Sequence, residues 1–325
     1  MSFQNKIVII VSSGNSGGGA LHDYLLSRKD FVSPIHGEEF RLIADPHGIE
    51  NLYNQFNDNF SLYNCSEAFY QFKKYSSNLS NLKIPKTNRP TYGHNFNQLT
   101  SDYLNKIEAI SWKGLPQFKR ISLNIFENLF YKLRIKFLRY KKHEHNLYKL
   151  RLPQDEKFFL KETNRYLMNI FKSNVNSYKN KNLILDQATN FWKPEIVIKY
   201  FKDPKILIVT RDPRSVFYSM KFRSSIAYPG YDIKIFVKWY KYAMNKRSKI
   251  IEKYKKNILE VKFEKFVNNI GPEIKKINNF LKIKNIPATN FDYEFTKNNV
   301  YKAKKGLTRY ELNFIKKNLK DFLQW

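Results

Sequence analysis

The sequence predicts an α/β fold in which a central parallel sheet is flanked by helices. Short runs of β-branched and aliphatic residues recur along the chain, a glycine-rich loop follows the first run, and helical patterns separate the others. Continuous apolar runs of this length are typical of strands buried on both faces of a sheet. Because helical patterns alternate with them, the strands need crossover connections and therefore run parallel.

The individual elements follow from the positions of these runs. The first strand is predicted at 7–11, and apolar residues at helical spacing from 20 to 26 predict the helix that follows it. The amphipathic pattern over 307–325 indicates a closing helix. Later strands are predicted by apolar runs at 183–185, 205–209 and 258–263.

The middle of the chain differs from its two ends. Between residues 45 and 180 the strand signals fade and amphipathic helical patterns replace them. A chain of 325 residues with 42% hydrophobic content allows one large domain or two small ones, and we expect a single domain, 1–325, with a large helical insertion. Within this insertion, the pattern of apolar and basic residues over 121–146 predicts a basic amphipathic helix. Such a helix suits a membrane or an acidic glycan, but a packed helix with a solvated basic face gives the same pattern.

Composition restricts the partners and the compartment. The chain holds 58 lysine and arginine residues against 28 aspartate and glutamate, a formal net charge of +30. This charge predicts an anionic partner, namely a nucleotide, nucleic acid, an acidic glycan or a membrane surface. The single cysteine, Cys65, excludes an internal disulfide framework and a cysteine-based zinc cluster. With no signal-peptide pattern and no membrane-length apolar run, we expect a soluble cytoplasmic protein.

A strand that ends in an arginine turn predicts a phosphate site. The run 205–209 leads into Arg211-Asp212-Pro213-Arg214, and Pro213 suits the first position of a helix because its missing N–H would be unpaired there. Ligands of open α/β sheets lie at the carboxyl ends of the strands. Arg211 can fork onto phosphate oxygens, and the hydroxyl of Ser219 can add a donor from the following helix.

The loop after the first strand predicts a second phosphate site. Backbone N–H groups of a glycine-rich turn at the start of a helix attract anions. The nucleoside-triphosphate pattern G-x-x-x-x-G-K-[ST] is not met, because Ala20 stands where the lysine belongs, and the dinucleotide spacing G-x-G-x-x-G fails too. The candidate residues of this loop are Gly14, Asn15, Ser16, Gly17, Gly18 and Gly19.

Two separate phosphate sites indicate a ligand with two phosphates, and here the chain resembles the sulfotransferases. In that family, which has a three-layer P-loop-like fold, a loop close to G-x-x-[RK]-S-G-T-[ST] cradles the 5′-phosphosulfate of 3′-phosphoadenosine 5′-phosphosulfate. A later R-[DN]-P-R-x-x-x-x-S motif holds the 3′-phosphate. The second motif is complete at 211–219, whereas the first has Asn15 in the usual place of a cation. The resemblance implies this nucleotide as sulfuryl donor and no metal.

The same resemblance suggests where a replacement for the missing positive charge lies. Gln187 also stands where many family members have a cation. The segment 301–306 is similar to the basic, glycine-containing loop that covers the nucleotide in the family. Lys302, Lys304 and Lys305 are therefore the candidates for the cation absent at Asn15, although a solvated run of charges is the alternative.

The resemblance to carbohydrate-acting members also implies a catalytic base at the start of the second strand, within 34–43. Glu39 is the first candidate and Glu38 the second, and only one can serve if both lie on a strand, because successive side chains point to opposite faces. His36 is the competing base, by analogy with the histidine of small-molecule members. Alternatively, Glu38 and Glu39 are surface carboxylates in a charged turn.

These features predict a sulfotransferase that acts on a hydroxyl of a glycan or lipid-linked saccharide. The helical insertion and the basic surface suit a bulky anionic acceptor, allow peripheral contact with a membrane, and do not require nucleic acid. Three alternatives remain open. They are a P-loop-like small-molecule kinase, a basic nucleic-acid-binding protein without catalysis, and an inactive relative that binds nucleotide, since Asn15 and Gln187 both lack charge.

Overall fold

The computed structural model describes residues 6–85, 87–114, 124–140, 148–175, 181–222, 227–298 and 300–324. These residues form two compact units, which are described separately. The first is made of Met1–Ala44, Lys83–Thr91 and Phe171–Trp325, and the second of Asp45–Leu82 and Tyr92–Ile170. The organisation as one domain with a helical insertion stays a prediction.

The strands of the described chain are β1 (Ile7–Ser12), β2 (Phe31–Val32), β3 (Glu108–Gly114), β4 (Tyr148–Pro153), β5 (Asn182–Asp186), β6 (Lys205–Thr210) and β7 (Ile258–Lys262). The helices before β5 are α1 (Gly18–Leu26), α2 (Ile49–Phe56), α3 (Leu62–Ser80), α4 (Phe96–Ile107), α5 (Ile125–Tyr140) and α6 (Glu156–Asn174). Those after β5 are α7 (Pro213–Phe222), α8 (Ile233–Lys253), α9 (Phe263–Asn268), α10 (Ile270–Leu281), α11 (Tyr293–Lys297), α12 (Lys302–Gly306) and α13 (Arg309–Asn318), with short 3-10 helices at Pro194–Lys199 and Lys320–Phe322.

The first unit is built on a five-stranded parallel sheet in the order β2, β5, β1, β6, β7. Val8 and Ile10 of β1 face a core that includes Leu21 of α1. Ile9 and Val11, on the opposite face of the same strand, are also fully buried. Both faces of the sheet are thus covered, which explains why its strands are continuous apolar runs. The predicted three-layer, P-loop-like α/β fold is confirmed.

The order of the strands determines where a ligand can lie. The chain leaves β1 towards the β2 edge of the sheet and leaves β6 towards the opposite edge at β7. Neighbouring strands whose connections diverge in this way leave a crevice at their carboxyl ends, where open α/β folds bind ligands. The loop after β1 and the turn after β6 both start at this crevice.

The second unit contains helices and an antiparallel pair, β3 with β4, that the sequence did not predict. Strand β3 alternates poorly and remains half exposed along its length, so it lacks the apolar run that identifies a buried strand. A polar network fixes the neighbouring helices. The rings of Tyr103 and Tyr166 stack with centroids 4.4 Å apart, and their hydroxyls hydrogen-bond Thr163 and Thr100 at 2.8 and 2.6 Å.

Two expectations need correction. The second strand is only Phe31–Val32, and the segment 34–43, which was predicted to include its start, follows it as a turn with left-handed backbone at His36 (φ 59°) and Gly37 (φ 88°). Glu39 then forms a single bridge with Asp186 at the end of β5. The closing helix is shorter than 307–325, because its α-helical part stops at Asn318 and a 3-10 turn follows.

Candidate functional site

The loop after β1 is a tight turn that leads into the start of α1. The N–H of Ser16 donates to the carbonyl of Ser13 at 3.1 Å, and the two serine hydroxyls are 2.5 Å apart. Asn15 (φ 63°) and Gly17 (φ 87°) have left-handed backbone. Gly17 is the N-cap of α1, and the first turn carries no acidic residue. The helix dipole and the first N–H groups of α1 therefore favour an anion at this end.

The glycines of this loop have different surroundings. A Cβ at Gly17 would overlap the ring of Phe263, and a Cβ at Gly14 would overlap the ring of Tyr228. At Gly19, by contrast, an added Cβ would meet no atom within 4 Å. Aromatic rings therefore cover two positions of the loop, while Gly19, in the first turn of α1, faces open space.

Arg211 connects this loop with the turn after β6. Its side chain is buried, and Nη1 donates to the carbonyl oxygen of Asn15 and to Oγ of Ser219, both at 3.1 Å. The guanidinium also lies 5.1 Å from the ring centroid of Phe263. Two motifs that are 196 residues apart along the chain thus meet through one side chain. A guanidinium and a hydroxyl beside a glycine turn can bind a phosphate oxygen.

The second arginine of the motif has a different task. Arg214 donates from Nε and Nη2 to the two carboxylate oxygens of Asp212, at 2.8 and 2.7 Å. Asp212 is fully buried and also accepts from the backbone N–H of Gln324 at 2.8 Å. This bidentate pair anchors the C-terminal segment to the arginine turn, so Arg214 stabilises the turn from behind.

Glu264 lies beneath the same turn and was not predicted as part of the site. Its carboxylate accepts the N–H of Asp212 at 3.1 Å and lies 3.9 Å from Nε of Arg211. Burial raises the pKa of Glu264 to about 7, against the opposing effects of the Asp212 N–H and of Arg211. Its charge therefore changes near neutral pH, immediately behind the arginine that faces the loop.

Gln187 and Asp186 mark the carboxyl end of β5. The amide of Gln187 donates to Oγ of Ser12 at 3.2 Å, so a neutral contact joins β5 to β1 where relatives are expected to carry a cation. Oδ1 of Asp186 is buried and has no hydrogen-bond partner among the described residues. Burial raises the pKa of Asp186 to about 6, while His22 opposes the shift and Glu39 adds to it. Sequence reasoning missed this carboxyl because nothing in the sequence of a strand end shows that Oδ1 is buried.

The three predicted bases lie on the turn beside Asp186. The N–H of Phe40 donates to the carbonyl oxygen of Asp186 at 2.7 Å, which fixes Glu39 at the end of β5. The Glu39 side chain is 56% exposed and lies 3.5 Å from Nη1 of Arg41. Glu38 is half-buried, and His36 is exposed. Asp186, next to them, is also half-buried as a residue, but its Oδ1 atom is buried.

The predicted basic loop contains the short helix α12, which packs on α7, the helix that carries Ser219. Ser215 of α7 donates to the carbonyl oxygen of Val300 at 2.9 Å, and a Cβ at Gly306 would overlap the ring of Tyr218. Lys304 is exposed, with Nζ 4.9 Å from the ring centroid of Tyr301. The side chain of Lys305 is outside the described part of the chain. Among the described residues, no three His, Cys, Asp or Glu side chains are grouped to hold a metal ion.

Comparison with known proteins identifies the family of the chain. A family model described as "Sulfotransferase family" matches residues 8–287. No curated protein matches the chain. Three similar solved structures are a sulfotransferase domain from the curacin biosynthetic pathway, one from the Synechococcus PCC 7002 olefin synthase, and a sulfotransferase from Mycobacterium avium.

The three structures are distant in sequence. The curacin domain is 14% identical with a TM-score of 0.44, and the alignment covers 98% of each chain. The olefin synthase domain is 12% identical with a TM-score of 0.45, and the alignment covers 97% of this chain and 94% of that domain. The mycobacterial protein is 10% identical with a TM-score of 0.39, and the alignment covers 98% of this chain and 76% of that protein. Because the family model extends from residue 8 to residue 287, the chain belongs to the sulfotransferase family and is an enzyme of that class.

Proposed function

We propose that the protein transfers a sulfuryl group from 3′-phosphoadenosine 5′-phosphosulfate to a hydroxyl of a glycan or a lipid-linked saccharide. The observation that carries the proposal is the position of Arg211, whose Nη1 contacts both the glycine loop at Asn15 and the hydroxyl of Ser219. A donor with two separated phosphate groups needs two anion sites on one crevice. The loop 14–19 and the pair Arg211 and Ser219 supply them.

The residues present fit such a donor. The open space at Gly19 leaves room for an anionic group at the first turn of α1, where N–H groups stabilise charge that develops on a leaving phosphate oxygen. In this proposal residues Gly14 to Gly19 hold the phosphosulfate end, and Arg211 with Ser219 holds the 3′-phosphate. Lys304 and Lys305 remain the proposed extra cations. The donor supplies an activated sulfuryl group, whose bond to phosphate breaks as a bond to the acceptor oxygen forms.

The proposed base is Glu39, with Glu38 and His36 as alternatives. A carboxylate at the exposed turn beside β5 can accept the proton of an acceptor hydroxyl that approaches from solvent. Asp186 joins these candidates because its buried Oδ1 lacks a hydrogen-bond partner in the described structure. If Glu39 is the base, Glu39→Gln abolishes turnover and His36→Ala does not. The reverse result assigns the base to His36, and loss only in Asp186→Asn assigns it to Asp186.

A row of aromatic side chains supports a saccharide acceptor. It starts at Tyr228, which covers Gly14, and continues through Trp239 and Trp192 to Tyr242, with successive ring centroids 5.7, 5.9 and 5.6 Å apart. Tyr242 is 59% exposed, and both tryptophans are partly exposed. Sugar rings pack their C–H faces on aromatic faces, whose surface is electron-rich. A lipid-linked acceptor would also bring the enzyme to a membrane surface.

Calorimetry with 3′-phosphoadenosine 5′-phosphate tests the donor site. We expect saturable binding of this nucleotide, little binding of ATP with magnesium or of a random oligonucleotide, and loss of binding in Arg211→Ala. Arg309→Ala, which removes an exposed arginine of the same unit, is the matched control. Unchanged affinity in Arg211→Ala would contradict the proposed site. The aromatic row is tested by Trp192→Ala, which should raise KM for saccharides and leave nucleotide binding unchanged.

A further inference from the structure

Helix α5 presents a large apolar face to solvent. Its side chains Ile125, Phe126, Leu129, Phe130 and Leu133 are 86, 75, 56, 71 and 55% exposed. At about 100° per residue these five positions cover an arc of about 140° on one side of the helix. Single exposed apolar residues are normal on a protein surface, but a contiguous group of this size marks an interaction site.

The helix is nevertheless a well-defined element. The backbone N–H of Asn124 donates to Oε2 of Glu127, and the N–H of Glu127 donates back to Oδ1 of Asn124, both at 2.9 Å. This reciprocal arrangement is a capping box, which satisfies two backbone donors and fixes the first turn. The exposure of the apolar face is therefore not a consequence of a frayed start. The interpretation of this segment as a helix packed through its apolar face does not hold for these five residues.

The charges of α5 indicate what covers the face. Glu127 is the one acidic residue in the sequence of this helix, against Lys132, Arg134, Lys136 and Arg139. Lys132 and Lys136 are exposed. An apolar face with cationic residues on the same helix is typical of segments that lie in the interface of a membrane, where lysines reach anionic headgroups. A second copy of this chain, itself at +30, would place like charges together and fits less well.

A second apolar feature belongs to the same unit. Ile110 and Trp112 are 59 and 41% exposed, and as residues two apart on β3 they share one face of the β3–β4 pair. Tryptophan prefers the boundary between headgroups and acyl chains. No helix in the described ranges is long and apolar enough to cross a membrane.

We propose that the α5 face, defined by Ile125, Phe126, Leu129, Phe130 and Leu133, inserts into the surface layer of an anionic lipid membrane, with its lysines at the headgroups. The proposal does not depend on the acceptor or on the catalytic base. Its physical basis is the burial of the apolar arc combined with electrostatic attraction. A neutral membrane offers only the burial, and a polar polyanion offers only the attraction.

Vesicle flotation tests the proposal with the full-length protein. We expect binding to vesicles that contain phosphatidylserine, weak binding to pure phosphatidylcholine, and at least tenfold weaker partitioning of the double variant Leu129→Glu, Phe130→Glu. Phe60→Glu is the matched control, since Phe60 is 58% exposed in the same unit but outside α5. Retained binding of 3′-phosphoadenosine 5′-phosphate and an unchanged circular dichroism spectrum show that each variant folds.

A fluorophore locates the inserted face. Cys65 is buried, so an environment-sensitive dye on Leu133→Cys reports from α5, and we expect its emission to shift to the blue only with anionic vesicles. Equal flotation of the wild type and the double variant overturns the proposal, as does equal binding to neutral vesicles. A wild-type dimer that the double variant dissociates also overturns it, because the face would then be covered by a second copy of the chain.

Discussion

The substitution Glu264→Gln tests how burial and charge are balanced behind Arg211. Burial raises the pKa of Glu264 from 4.5 to about 7. Since one pKa unit corresponds to about 1.36 kcal/mol, ionising this carboxyl in the folded protein costs about 3 kcal/mol. Below pH 4.5 the carboxyl is protonated in both states and the cost is absent. Between pH 4.5 and 7 only the unfolded chain loses the proton, so stability falls as pH rises and then stays constant.

Glutamine avoids this cost and keeps an oxygen acceptor for the N–H of Asp212, which Glu264 now accepts at 3.1 Å. Urea unfolding of both proteins should therefore show a difference that grows by about 3 kcal/mol in favour of Glu264→Gln from pH 4.5 to pH 8. Glu264→Leu is the control, because it also removes the ionisation cost but leaves the Asp212 N–H without an acceptor, so it should be about 1–3 kcal/mol less stable than Glu264→Gln at every pH. If the difference in free energy of unfolding between the wild type and Glu264→Gln does not change with pH, the reasoning is refuted.

Other substitutions test the glycine loop, the carboxyl of Asp186 at the end of β5, and the second unit. Gly17 has φ 87° and lies against the ring of Phe263, so Gly17→Ala should lower the free energy of unfolding by at least about 1–2 kcal/mol in denaturant unfolding. Gly19→Ala should unfold like the wild type but bind nucleotide more weakly in calorimetry, because its methyl group occupies the open space. Asp186→Asn should be more stable than the wild type by about 1–3 kcal/mol at pH 8, with the gap closing by pH 4, because the pKa of Asp186 is raised to about 6. Tyr103→Phe removes a buried hydrogen bond to Thr163 and should lower the free energy of unfolding by about 1 kcal/mol; a loss near zero would mean that the two hydroxyls contribute nothing net.

The parallel sheet was predictable because burial on both faces leaves a strong sequence signal. The runs at 7–11 and 205–209 contain almost only β-branched and aliphatic residues, and the strands extend one residue beyond each. Strand β3 lacks such a run because it stays half exposed, and its pairing with β4 depends on long-range contacts that periodicity does not report. The turn at 34–43 was misjudged for a related reason, since the left-handed backbone at His36 gives no strong sequence signal.

The site was predictable only where backbone chemistry defines it. Glycines at a strand-to-helix turn and an arginine after a strand can be recognised in the sequence as anion-binding features. The structure brings the two together through the contact between Asn15 and Arg211. The contributions of Glu264 and Asp186 depend on burial by residues distant along the chain, which composition and spacing do not encode. Tyr228 and Phe263, which cover the glycine loop, are ordinary aromatic residues in sequence.

Arg211 brings a positive charge to the glycine loop. Asn15 lacks a charge, but its carbonyl oxygen accepts from Nη1 of Arg211 at 3.1 Å, so a guanidinium lies directly against the loop. The positive charge on Arg211 is in turn moderated by Glu264, whose carboxylate is 3.9 Å from Nε. Protonation of Glu264 near pH 7 removes that opposing charge and increases the positive potential at the loop. Binding of 3′-phosphoadenosine 5′-phosphate should therefore weaken as pH rises through 7 in the wild type, and Glu264→Gln should lose this dependence while its affinity at pH 8 increases. A parallel decline in both proteins would assign the pH dependence to another group.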